Sequence, residues 1–87
     1  MASKTKVVVD VASAQRASML RMGQNWQKLG KLNQAISTYL RIVQENPGTS
    51  ESEEAKTALI DIAIGFEQEG RYHLAISIYD RLAESVA

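Results

Sequence analysis

The sequence predicts an all-α chain made of two stacked antiparallel helix-turn-helix units. Three observations predict it. The twelve-residue stretch from Gly30 to Arg41 recurs 40 residues later as Gly70 to Arg81, with six positions identical: the Gly, the Ala-Ile-Ser run, the Tyr and the Arg. A fixed internal period means one structural unit used twice. The chain is rich in Ala, Leu, Ile, Gln, Glu and Arg, which are good or tolerable helix formers, and one proline and five glycines leave little turn material. Apolar residues also recur at spacings of three and four, the period of a helix with one buried face.

Taken in order, residues 1–9 are expected to form a flexible tail. Val7, Val8 and Val9 favour extended backbone or the edge of a helix, and a short strand there would have no second strand pattern to pair with. The helical domain then covers 10–87, with unit one at about 10–47 and unit two at about 50–87. Asp10 stands where an N-cap is expected. The first helix runs to about Leu29, with Met19, Met22, Gly23, Trp26 and Leu29 on one stripe. Gly30 follows, suited to the left-handed residue that ends a helix. The second helix spans about Leu32 to Gln44, with Leu32, Ala35, Ile36, Tyr39, Ile42 and Val43 as its stripe. Asn46-Pro47-Gly48 stops it, since the residue before proline avoids helical geometry. Ser50-Glu51-Ser52-Glu53 reads as a capping box with acidic residues in the first turn. The third helix runs from about Glu51 to Glu69 on Ala55, Leu59, Ile62, Ala63 and Phe66, with Gly65 inside it at a cost of about 1 kcal/mol relative to alanine. Gly70 ends it as Gly30 ends the first. The fourth helix runs from about Tyr72 to Val86, with Ser77, Asp80, Arg81 and Glu84 as its polar face. Turns this short force neighbouring helices to be antiparallel.

Composition narrows the function. Eighty-seven residues make one small domain, which buries only about 60 % of the surface of its unfolded chain. Ten basic residues balance ten acidic ones, which argues against a nucleic-acid surface and against electrostatic membrane docking. No apolar run approaches the roughly 18 residues of a membrane span, and the Val7–Val9 run is too short for a secretory signal. The absence of cysteine removes disulfides and thiolate metal sites. Catalytic means are equally sparse. His73 is the only histidine, and it is expected near solvent. Ser37 and Ser77 recur without a base beside them, and a nucleophile needs one. Glu51, Glu53 and Glu54 read as a solvated helix start favoured by the helix dipole. Gly30 and Gly70 are isolated, so no phosphate loop exists. The expectation is no enzyme, no cofactor and no metal.

The residues resemble the tetratricopeptide repeat family. Its pattern of a bulky residue, a small one, an aromatic, Gly, Ala, aromatic and Pro falls on Met22, Gly23, Trp26, Gly30, Ala35, Tyr39 and Pro47. It falls again on Ile62, Ala63, Phe66, Gly70, Ala75 and Tyr79. The resemblance covers about residues 16–87 and implies a short right-handed α-solenoid. It implies packing roles for the small residues: Gly23 and Ala63 where the helices of a unit cross, Ala35 and Ala75 as facing contacts on the second helices. Trp26 and Phe66 would fill the space between adjacent units. The family's period is about 34 residues, against 40 here; the extra residues fall near Ser50 to Ala55 and would lengthen the start of the third helix. In this longer spacing and its Pro-Gly-x-Ser junction the chain is similar to the bacterial envelope subset of the family, which leaves the compartment open between cytoplasm and periplasm.

The resemblance also implies a site. The inner surface of a repeat solenoid usually binds the partner, and by position it would carry Leu20, Gln24, Gln27, Ile60, Ile64 and Glu67. Leu20, Gln24, Ile60 and Ile64 stand where some relatives place the lysine and asparagine that clamp a peptide carboxylate, so that clamp is absent. The expected function is a protein-interaction module whose groove takes a helix or an apolar peptide of a partner protein. A second expectation rests on the last helix. A terminal helix normally has a polar outer face, whereas this one is broadly apolar, and about three repeats are needed for independent stability. Something should cover this face, either further repeats of a longer parent protein or a second copy; the favoured expectation is that Leu74, Ile78, Tyr79, Leu82 and Val86 form a self-association face, giving a homodimer.

Overall fold

A computed structural model describes residues 10–86; the expected tail at 1–9 lies outside the described residues. The described residues fold as four helices: α1 (Val11–Lys28), α2 (Leu32–Glu45), α3 (Ser50–Gln68) and α4 (Tyr72–Val86). Among the described residues there is no strand. Each helix packs on the next, α1 on α2, α2 on α3 and α3 on α4, and the equivalent helices of the two units also touch, α1 with α3 and α2 with α4.

The glycine turns explain the tight hairpins. Gly30 has φ 74° and Gly70 φ 79°, the left-handed region that a side chain disfavours. Around the first, the N–H of Gly30 donates to the Gln27 carbonyl at 3.0 Å and that of Lys31 to the Trp26 carbonyl at 2.9 Å. Around the second, Gly70 donates to Glu67 at 2.9 Å and Arg71 to Phe66 at 2.8 Å. These are two copies of one Schellman motif, which satisfies the last carbonyls of α1 and α3.

The corner between units differs from the expected capping box. The N-cap of α3 is Thr49, whose hydroxyl accepts from the Ser52 N–H at 3.1 Å. The same hydroxyl donates to the Asn46 carbonyl at 2.8 Å. Thr49 can serve both ends of the corner because Gly48, at φ 82°, turns the chain back on itself. Glu51 and Glu53 do lie in the first turn of α3, and the stretch Ser50–Ala55, where the extra residues were placed, is helical. Asp10 occupies the N-cap position of α1 but makes no side-chain cap bond.

One core runs through both units. Tyr39, Ile42, Val43 and Leu59 are fully buried, with Ala35, Ala55, Ala63 and Ala75 between the helices. The small residue at position 23 has a definite cause: a Cβ there would lie 2.6 Å from Tyr39 Cε1. Gly65, inside α3, has nothing within 4 Å of the same position. Alanine at the two sites should therefore act in opposite directions. Gly65→Ala should stabilise by about 0.5–1 kcal/mol through helix propensity. Gly23→Ala gains the same propensity but overpacks a buried ring, which costs about 1–3 kcal/mol. Urea denaturation of the two variants checks the contrast; equal signs would refute it.

Candidate functional site

Helices α1 and α3 enclose a groove of about 390 Å³. Leu20, Gln24 and Gln27 form its α1 side, and Glu53, Glu54, Thr57, Ala58 and Asp61 its α3 side, with the buried Tyr39 at the base. Three of the six residues expected to line an inner groove therefore come together here. Leu20 is nearly buried and belongs to the floor. Ile60 and Ile64 are exposed on α3 and are not part of this lining. Glu67 is engaged elsewhere, accepting a hydrogen bond from Tyr79.

The groove's edge is held by the Tyr39–Gln27 bond, whose counterpart in unit two lies away from the groove. Tyr39 Oη donates to Gln27 Oε1 at 2.7 Å, and Tyr79 Oη donates to Glu67 Oε1 at 2.8 Å. Each bond ties the second helix of a unit to its first, 12 residues back. Burial pushes the Tyr39 phenol above its ordinary pKa. The Tyr79 phenol is raised chiefly because its proton is held by the Glu67 carboxylate, with desolvation adding to it. The far end is tied by Arg16, whose Nε donates to Glu51 Oε1 at 3.1 Å and joins the start of α1 to the start of α3. That hydrogen bond is the main reason the Glu51 carboxyl sits below its ordinary range, with its backbone hydrogen bond next.

The charges on the groove were not legible in the α1 positions alone. Glu53, Glu54 and Asp61 all line it, and no lysine or arginine does. Glu53 is paired at 3.0 Å with Lys56, one turn along the same helix. The signal that would have found them is the inter-unit register, which sets the first turns of α3 beside the middle of α1. Among the described residues, no group of three or more His, Cys, Asp and Glu is gathered to hold a metal ion, and no helix is long and apolar enough to cross a membrane. His73, Ser37 and Ser77 are exposed.

The expected self-association face is divided. Ile78 is a core residue, and Leu74, Tyr79 and Leu82 pack against the core. The side chain of Val86 lies outside the described residues. What α4 leaves uncovered is a neighbouring stripe carrying Tyr72 and Ile76. The reason is geometric: Ala75, Ile78 and Leu82 follow the helical spacing that faces α3, and Tyr72 and Ile76 lie on an adjacent face.

No curated protein and no solved structure matches the chain significantly. The family model for the tetratricopeptide repeat matches residues 17–49, which run from within α1 through α2 to the Thr49 corner. With the same turn, a small residue again at the crossing (Ala63 for Gly23) and the same tyrosine bond built a second time in α3 and α4, the matched segment is a tetratricopeptide repeat and the second unit repeats its architecture.

Proposed function

We propose that this chain is a non-catalytic interaction module whose α1–α3 groove takes a segment of a partner protein. Tetratricopeptide repeats generally mediate protein–protein interaction, which supplies the class; the site must be argued from its residues. The observation that carries the reading is the groove itself: an apolar floor at Leu20 and Ala58 with carboxylates of one sign along α3. Such a surface favours a partner segment that places aliphatic side chains on the floor and lysine or arginine against Glu54 and Asp61. The amides of Gln24 and Gln27 can serve backbone groups of the same segment.

Selection of a random-sequence peptide library on the immobilised chain tests this. Enriched peptides should pair cationic with aliphatic residues. The double variant Glu54→Lys, Asp61→Lys should weaken the selected peptide at least about tenfold, equivalent to about 1.4 kcal/mol, with helicity unchanged. Enrichment of acidic peptides, or undiminished binding to the double variant, would refute the groove assignment. Self-association is a second reading, favoured by the uncovered Tyr72 and Ile76 on α4.

A further inference from the structure

The two units offer an internal control for what covers each surface. Position by position, 40 residues apart, residues that face the other unit are buried in one copy and open in the other. Leu20 is 7 % exposed and its counterpart Ile60 41 %; Ile36 is 9 % exposed and its counterpart Ile76 55 %. In the opposite direction, Ile62 is 6 % exposed and its counterpart Met22 47 %. The first pair of contrasts marks the face unit one turns toward unit two. The last marks the face unit two turns toward unit one. Each end of the chain thus carries one half of the junction that its middle carries complete.

The outer side of that junction shows the same halves. Between α2 and α4, a cleft is lined by Ile36 and Ser37 from unit one and by Phe66, Leu74, Ser77 and Ile78 from unit two. At the α1 end, a shallow concavity is lined by Trp26, Gln34, Ser37 and Thr38. These are the counterparts of Phe66, Leu74, Ser77 and Ile78. The receiving half is present there, with no Ile36 counterpart among the described residues to fill it. Ile76, on the opposite end, is that counterpart.

We infer that copies of this chain stack head to tail, Ile60, Tyr72 and Ile76 of one copy meeting Met22 and Trp26 of the next. This rests on the self-association reading and replaces a closed dimer by an open series. A contact between two different surfaces is heterologous, and it continues unless the rotation closes a ring. A second copy is the occupant because it brings both missing halves, already matched by the interface inside the chain. The joint is weaker than its internal template. Gln34 and Thr38 stand where unit two has Leu74 and Ile78, and Asp80 and Ala83 stand where unit one has Leu40 and Val43. Association also costs translational and rotational freedom that the covalent junction does not. Stacking is therefore reversible and concentration-dependent.

Sedimentation velocity across a concentration series tests it, using the full chain and the variants Ile76→Glu and Met22→Glu. The average mass should rise past that of two copies without a plateau. Each variant should stay monomeric at the same concentrations. An equimolar mixture of the two should form a pair and stop, since one retains a working α4 end and the other a working α1 end. A plateau at two copies for the unmodified chain would overturn head-to-tail stacking while leaving a closed dimer. A monomer throughout would overturn self-association altogether, and a mixture that fails to pair would overturn the assignment of the two ends. Should circular dichroism show Ile76→Glu unfolded, Ile60→Glu tests the same end.

Discussion

Replacing Tyr39 by alanine should destabilise the chain by about 3–5 kcal/mol, the range for emptying a buried aromatic site. The ring is fully buried and lies where the two helices of unit one cross, against Gly23. No neighbour can close the gap: the residue facing the ring has no side chain, and the helices around it are fixed by their glycine turn. Stabilities of whole domains lie at about 5–15 kcal/mol, and small domains sit at the low end because they bury the smaller share of their surface. Most of the molecule's stability is therefore at stake. Tyr39→Phe separates the ring from its hydroxyl. It removes the 2.7 Å bond to Gln27 and keeps the packing, so it should cost only about 0.5–1.5 kcal/mol. Denaturant titration followed by circular dichroism reads both. Similar losses for the two variants would mean that the hydroxyl, and not the ring, holds the crossing.

Leu59→Ala should cost about 2–5 kcal/mol, and the way the protein then unfolds matters as much as the amount. Leu59 is fully buried on α3, the helix that packs on both helices of unit one. In a stack of repeats, stability is a sum of unit terms and interface terms, and here a single interface joins two units. Weakening it should bring both down in one transition. Trp26, in unit one, is the only tryptophan, so its fluorescence reports that unit while circular dichroism reports all four helices. The two signals should coincide in Leu59→Ala as in the unmodified chain. A fluorescence change that lags behind the loss of helicity would show unit one standing alone, and would refute the single cooperative block.

The helices were legible because their signals are local. Gly30, Gly70 and Pro47 punctuate the chain, and the stripes between them fix the elements to within a residue or two of α1 to α4. The crossing role of Gly23 came from the family resemblance, and the structure supplies its cause in the Tyr39 ring beside it. The corner was not, because the choice between Thr49 and Ser50 as the cap depends on the left-handed turn at Gly48. The open surface of α4 was not legible either. Leu74, Ile76 and Ile78 alternate with each other along one helix, and composition cannot say which of two adjacent apolar stripes meets α3. The burial of Ile78 and the exposure of Ile76 decide it. The acidic wall of the groove was hidden by distance, since Asp61 comes to line the same groove as Gln24 only once the helices have folded.

The shared hydroxyl at Thr49 has a consequence for how this architecture can vary. Both hairpins are closed by the same rigid glycine clasp, so the angle within each pair has little freedom. The segment from Asn46 to Thr49 is the one connection of another kind, and with the packing between the units it sets how far the second pair is swung from the first. Editing those few residues would widen or narrow the cleft between α1 and α3 and change the pitch of any longer assembly, with every helix left as it is.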